Sequence, residues 1–368
     1  MSLPDAPSAS EPSRASAPSL PPVAPPTATF ILQLFLIPLS IVTIVVLLWL
    51  LFGWIAHMGH DNAAELVRGI ERGDNASGQL AFELAALLRS SDRKYDTLRN
   101  DAELATRLAT FLDRDLAEPL TRADDKRVMR RMYLCRIIGE FHVSAGLDVL
   151  LRAAKEERDP VDVEIRFSAI EAIAALADHC GPELFQSGEV METLLAASRT
   201  ADDSSSPSSS SGREPSSYLP HAELRAVAAY ALGVIGGEQA TARLRLMLHD
   251  SYPNARFNAA TGLARHGDTE CIGVLIEMLD PANDLAIKDE ANPNDRARKR
   301  TTVLLNAIKA TLQLAKANPN ADLAPLNSAL DNLIHSPLET VTIDRSKVQN
   351  AAAEAQRLIG QAKQSPRS

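Results

Sequence analysis

An arginine followed by alanines three and four positions on, and by leucine at the seventh, occurs twice in this chain. The copies are Arg225, Ala228, Ala229 and Leu232, then Arg256, Ala259, Ala260 and Leu263. A third set begins at Arg166, with Ala169, Ile170 and Ile173 in the same places. The spacing from Arg166 to Arg225 is wider, but the polar stretch 199–217 lies within it, and without that stretch it is one repeat with a longer turn. A fourth, weaker copy over 128–139 aligns Tyr133 with Tyr230 and Ile137-Ile138-Gly139 with Val234-Ile235-Gly236. Self-similarity at the spacing of Arg225 and Arg256 marks units that cannot bury their apolar faces alone and must stack on their neighbours.

Each unit reads as two helices. In the Arg256 unit, Asp250 to Pro253 is a turn and Asn254 to His266 is helical by its apolar spacing. Gly267-Asp268 breaks it, and Thr269 to Leu279 is a second helix with Ile272, Leu275, Ile276 and Leu279 on one face. The paired alanines permit close helix approach, and an aromatic content of 4% suits an Ala/Leu-packed array better than a sandwich or barrel. The run from Asp250 through Arg256 to Leu263-Ala264, and that from Glu223-Leu224-Arg225 to Ile235-Gly236, resemble HEAT repeats of the short bacterial type. The match is specific over 220–280, partial over 124–180 and only periodic elsewhere. The resemblance implies an all-α, armadillo-like solenoid in which turn aspartates and helix-start arginines form a structural ladder. Asp250 and Arg256, with Arg166 and Arg225 in the same register, carry over as packing residues and not as catalytic ones. The pattern is departed from at 281–295, an insertion before Arg298 to Ala315, and over 61–115, where helical spacing lacks the signature.

From Phe30 to Ala56 no side chain is charged. As a helix this run would extend ~40 Å, enough for a hydrocarbon core of ~30 Å with some tilt. Trp49 and Trp54 suit an interfacial belt, and Pro38 is tolerable as a kink. A buried core helix is rarely so long. A cleaved signal peptide wants a basic n-region and small residues at the cut, whereas this run comes after only Arg14 against Asp5 and Glu11 and continues into Trp54 and Ile55. The expectation is an uncleaved anchor over residues 30–57. Arg68 and Arg72 on one side against Arg14 on the other put the larger part in the cytoplasm by the positive-inside rule.

Of the net charge of −9, the tail 1–28 holds −1 through Asp5, Glu11 and Arg14, and −8 lies beyond the apolar run. Such acidity disfavours nucleic acid and anionic lipid as partners. Cys135, Cys180 and Cys271 are scattered and odd in number, which argues against a disulfide framework. Ser91-Asp92-Arg93-Lys94 has the serine-to-lysine spacing of penicillin-interacting enzymes without their companion motifs, and reads as an exposed turn. His57 and His60 beside Asp61 have metal-ligand spacing but also suit the end of an apolar helix. His179-Cys180 and His266-Asp268 fall at helix ends, where histidine bonds free carbonyls. Asn75-Ala76-Ser77 spells a glycosylation sequon.

The domain plan is a Pro/Ala/Ser tail over 1–28, a transmembrane helix over 29–58, capping helices over 59–123, repeats over 124–340 with a disordered insert at 199–217, and a C-terminal helix and tail over 341–368. The function expected is a membrane-anchored protein-interaction scaffold or adaptor, with no catalytic residue, cofactor or metal and a protein as partner. The alternatives are a bilin-lyase-like enzyme, implied by the HEAT resemblance, and a structural subunit of a membrane complex. The partner surface is expected on the second helices, 239–249 and 269–279. There Arg243, Arg245, Glu270 and Glu277 point outward, because Leu244, Met247, Leu248, Ile272, Leu275 and Ile276 occupy the apolar register.

Overall fold

The computed structural model describes residues 36, 38–51, 63–73, 76–120, 124–158, 160–186, 188–199, 219–338 and 343–364. The chain divides into two units, Met1–Asn62 and Ala63–Ser368. In the first, residues 38–51 are helical. Leu39, Val45 and Trp49 are exposed there. No helix among the described residues is long and apolar enough to cross a membrane. The expected single-pass anchor over 30–57 is therefore corrected, and the cytoplasmic orientation built on it loses its basis. The tail 1–28, His57, His60, Asp61, Asn75 and most of the serine-rich insert lie outside the described residues.

The second unit is an array of helices in two layers. Even-numbered helices stack on one another in one layer: α2 (Ser77–Arg89), α4 (Asp125–Gly139), α6 (Asp162–Cys180), α8 (Leu219–Ile235), α10 (Pro253–Arg265), α12 (Pro293–Ala317) and α14 (Arg345–Gln364). Odd-numbered helices run beside them: α1 (Ala63–Glu71), α3 (Ala102–Ala117), α5 (Leu147–Lys155), α7 (Gly188–Ala197), α9 (Glu238–Met247), α11 (Ile272–Leu279) and α13 (Ala324–His335). Each pair packs chiefly on its sequence neighbours, as a solenoid requires.

The alanine signature is explained by the even layer. Ala228, Ala229, Ala259 and Ala260 are wholly buried. A Cβ on Gly233 would stand 2.6 Å from the Cα of Gly262, so α8 and α10 touch backbone to backbone. α4 and α6 repeat this contact, with a Cβ on Gly139 placed 2.7 Å from the Cα of Ala172. Gly139 and Gly233 each lie eight positions after an arginine, Arg131 and Arg225, and their partners each lie six after one, Arg166 and Arg256. The fourth repeat copy is therefore in register with Arg131 on Arg225, three positions away from the alignment of Tyr133 with Tyr230. Leu134 and Cys135, both buried, fill the alanine positions there. The larger side chains hid the register from the sequence.

The helix-start arginines have a common task. The carbonyls of a helix's last turn lack intrahelical donors and carry the negative end of its dipole, so a guanidinium there is doubly favoured. Arg131 donates to Glu118 O at 2.7 Å, beyond the end of α3. Arg166 Nε donates to Ala154 O at 3.0 Å on α5, and Arg256 Nη1 to Asp250 O at 2.9 Å after α9. Arg300 Nη1 reaches Asn283 O at 3.0 Å, past α11. On α14, Gln349 Nε2 serves α13 by donating to Ile334 O at 2.6 Å. Arg225 instead grips the buried carboxylate of Asp250 with both prongs, Nε to Oδ2 at 2.9 Å and Nη2 to Oδ1 at 3.1 Å. Asp250 also accepts Tyr252 N–H at 2.8 Å, which shapes the turn into α10. The carboxylate partner of Asp250 is thus Arg225, one repeat earlier than the local arginine.

This packing sets the expected cost of substitutions. Arg225→Met leaves a buried carboxylate uncompensated and should cost about 3–5 kcal/mol in chemical denaturation. Arg256→Met, which loses backbone carbonyls and the part-exposed Glu277, should cost about 1–3 kcal/mol. Gly233→Ala should destabilise by about 1–3 kcal/mol, because the new methyl meets backbone that cannot yield without moving α10. Gly360→Ala, with nothing within 4 Å of its Cβ position, should stabilise by up to about 1 kcal/mol. Equal signs for the two glycine substitutions would contradict the close-contact account.

Candidate functional site

A groove crosses the open face of the even layer. Its main section, about 500 Å³, is walled by α6, α8, α10 and α12. A narrower section of about 130 Å³ continues it, sharing Tyr230, Asn258, Thr261 and Asn306. Three helices each contribute a stripe at three- and four-residue spacing: Ala226, Val227 and Tyr230 from α8, Phe257, Asn258 and Thr261 from α10, and Thr302, Val303 and Asn306 from α12. Ala226, Val227 and Phe257 are buried at the base of these stripes, Gly233 and Gly262 line the narrower section, and Tyr230, Thr302 and Asn306 are the exposed members.

The chemistry of the groove is mixed. Tyr230 is 42% exposed, and burial of its remainder pushes the phenol above its ordinary pKa, keeping it a neutral donor. Tyr252 is likewise raised by burial and accepts Asn254 Nδ2 at 3.0 Å on its hydroxyl. Asn258 donates to Ala226 O at 2.7 Å, a tie across the floor between α8 and α10. Asn306 is exposed, and its side chain carries no hydrogen bond to the described residues. Glu171 and Glu223 line the main section with Lys299, which is paired with Glu290 at 2.9 Å, while Arg265 and Lys309 line the narrower one. A groove of this kind offers aromatic surface, amide donors and acceptors, and a change of charge sign along its length.

The residues expected at a partner surface lie in the odd layer and are engaged within the array. Arg243 Nε donates to Ser198 Oγ at 2.9 Å and its Nη2 reaches Ser198 O, closing the end of α7. Arg245 pairs with Asp268 at 2.7 Å and Glu270 at 3.1 Å. Glu277 receives Arg256 Nη2 at 2.7 Å. Arg245 and Glu270 keep about half of their side-chain surface exposed, at 47% and 58%. The repeat comparison used Tyr230 only as an alignment position, and nothing in it marked Tyr230, Asn258 or Asn306 as groove residues. The available signal was a set of aromatic and amide residues at helical spacing, set off from the alanine positions.

Other sequence candidates resolve locally. Ser91 to Lys94 form a turn in which Asp92 accepts Lys94 N–H at 3.0 Å. The His266 ring meets Gly233 O at 3.0 Å, bonding a carbonyl of the neighbouring α8. His179 and His142 lie with ring centroids 4.7 Å apart, and Glu140 stands 3.8 Å from His179. Among the described residues, His, Cys, Asp and Glu do not gather in threes that could hold a metal ion. Burial pushes the Cys135 and Cys271 thiols up to about 12.

Residues 217–292 match the family model for HEAT repeats. No curated protein matches the sequence. Among solved structures the chain is similar to Escherichia coli YibA, at 18% identity and a TM-score of 0.27, over 80% of this chain and 96% of that one. It is also similar to human deoxyhypusine hydroxylase in complex with glycerol, at 16% identity and a TM-score of 0.28, over 83% of this chain and 98% of that one. At such identity and TM-score, these likenesses lend this chain neither an activity nor a ligand. They do correct one expectation. One of the two is an enzyme by its name, against the expectation that the chain is not an enzyme, and that expectation is withdrawn.

The thiol pKa values predict an order of labelling. At pH 8, iodoacetamide should modify the part-exposed Cys180 first, while Cys135 and Cys271 should react only at the rate of unfolding. Peptide mass mapping over time checks this, and early modification of Cys135 would show that α4 opens locally.

Proposed function

We propose that the array is a protein-interaction scaffold whose even-layer groove receives a segment of a partner protein. The observation that supports this is the continuity of the groove across α6, α8, α10 and α12, with an exposed aromatic at its centre. Aromatic side chains anchor interfaces because they bury much surface for few rotatable bonds, and flanking amides set the register by pairing with a partner's backbone. A stacked array suits the role because each repeat extends the same surface by one helix.

The odd-layer residues Arg245 and Glu270 offer a second surface, already committed to one another and to Asp268. A partner there must compete with those pairs, whereas the Asn306 side chain in the groove has no bond to the described residues to give up. The groove is therefore the stronger reading.

Tyr230→Asp combined with Asn306→Asp should abolish capture of a partner obtained by purification, with the melting temperature nearly unchanged because both residues are substantially exposed. A photo-crosslinker at Thr302 should label that partner, and one at Glu270 should not. Capture that survives in the groove variant and is lost on Arg245→Glu would transfer the interaction to the odd layer.

A further inference from the structure

At the N-terminal end of the array, α1, α3 and α4 enclose a cleft of about 750 Å³ whose charge runs against that of the chain. The protein carries a net −9. Around this cleft, Arg72, Arg107, Arg114 and Arg130 line the surface, and Arg127 and Arg131 stand behind it. They face four carboxylates, those of Glu71, Asp115, Glu118 and Asp124.

The carboxylates are all taken. Arg107 holds Glu71 through both oxygens, Nε to Oε1 and Nη2 to Oε2. Arg130 holds Asp115 Oδ2 with Nε at 3.2 Å and Nη2 at 3.0 Å. Arg127 reaches Asp115 at 3.2 Å and Glu118 at 3.0 Å, with Asp124 at 3.8 Å. That leaves the side chains of Arg72 and Arg114 with no hydrogen bond or ion pair to the described residues, both exposed on the same cleft. The helix-start arginines of this array are spent on carbonyls or carboxylates, and so are the other arginines of this cleft. Arg72 and Arg114 are the two guanidinium groups that line the concavity without such a partner. Phe111 supplies an apolar wall beside Arg130, whose guanidinium lies 5.8 Å from the ring centre.

We propose that this cleft binds a phosphate ester, with the phosphoryl oxygens on the guanidinium forks of Arg72 and Arg114 and the organic body against Phe111. The two guanidinium groups of Arg72 and Arg114 together match a phosphate dianion; a single carboxylate would leave one fork unpaired. Guanidinium geometry presents paired N–H donors that suit phosphate oxygens, and the volume lies within the usual range for a small ligand. The inference stands apart from the groove in the even layer and shares no residue with it.

Isothermal titration of the full chain with phenyl phosphate, inorganic phosphate and benzoate tests the assignment. Phenyl phosphate should bind saturably and at least about tenfold more tightly than benzoate, which has the ring and one negative charge, and more tightly than inorganic phosphate, which lacks the ring. Arg72→Gln with Arg114→Gln should weaken it at least about tenfold while leaving the melting temperature unchanged. Tyr230→Asp should leave it untouched. A phosphoserine peptide that binds more tightly than phenyl phosphate, with its unphosphorylated form inert, would make the source a modified protein; the reverse order would make it a small molecule. Absence of saturable binding, equal affinity for benzoate, or full affinity in the double variant would overturn the proposal.

Discussion

The end of a short helix is an exposed liability, and this array is organised around covering it. Most of its odd helices are short, α11 running only from Ile272 to Leu279, so the unbonded carbonyls of the last turn are a large share of their polar groups. From α3 to α13 each such end receives a side chain from a later element: Arg131, Arg166, Arg243, Arg256, Arg300 and finally Gln349. Because the donor belongs to a later helix, the same bond that completes one helix fixes the placement of another. Capping and stacking are one interaction.

That arrangement accounts for the arginine of the repeat and for the small residues after it. An arginine at the start of an even helix must lie close to the preceding odd helix to reach its carbonyls, which commits one face of the even helix to the interior. The residues next on that face meet the neighbouring even helix, and where Gly233 and Gly262 come within contact distance of each other only hydrogen fits. Buried arginine has a cost in this scheme. Arg131 is fully buried, two of its nitrogens lack partners, and burial lowers its pKa. Removing a guanidinium would leave orphaned carbonyls in its place, so the charge is retained.

The two-helix unit and the burial of the alanines were legible from local spacing, because the repeat writes the same contact more than once. The partner of Asp250 was not legible. The arginine that follows it in its own repeat is Arg256, which takes only its backbone carbonyl, while the carboxylate lies against Arg225 of the preceding repeat, which stacking brings alongside. The groove was missed for a related reason: Tyr230, Asn258 and Asn306 belong to three separate helices and share nothing until those helices are stacked. The apolar run was legible as composition, but the span expected from it is not supported, since no helix among the described residues is long and apolar enough to cross a membrane.

Nearest-neighbour construction also limits how far a disturbance can travel. Stability in such an array is close to a sum of repeat and interface contributions, so loss of one cap weakens two pairs and leaves distant ones intact. The groove in the even layer spans α6 to α12, whereas the arginine-lined cleft uses α1, α3 and α4. Within the even layer, the α4–α6 contact at Gly139 and Ala172 is the interface that joins them. Because that contact is backbone against backbone, it has no side-chain rotamer with which to accommodate a shift. Coupling between the two surfaces through the even layer therefore has to cross the α4–α6 interface.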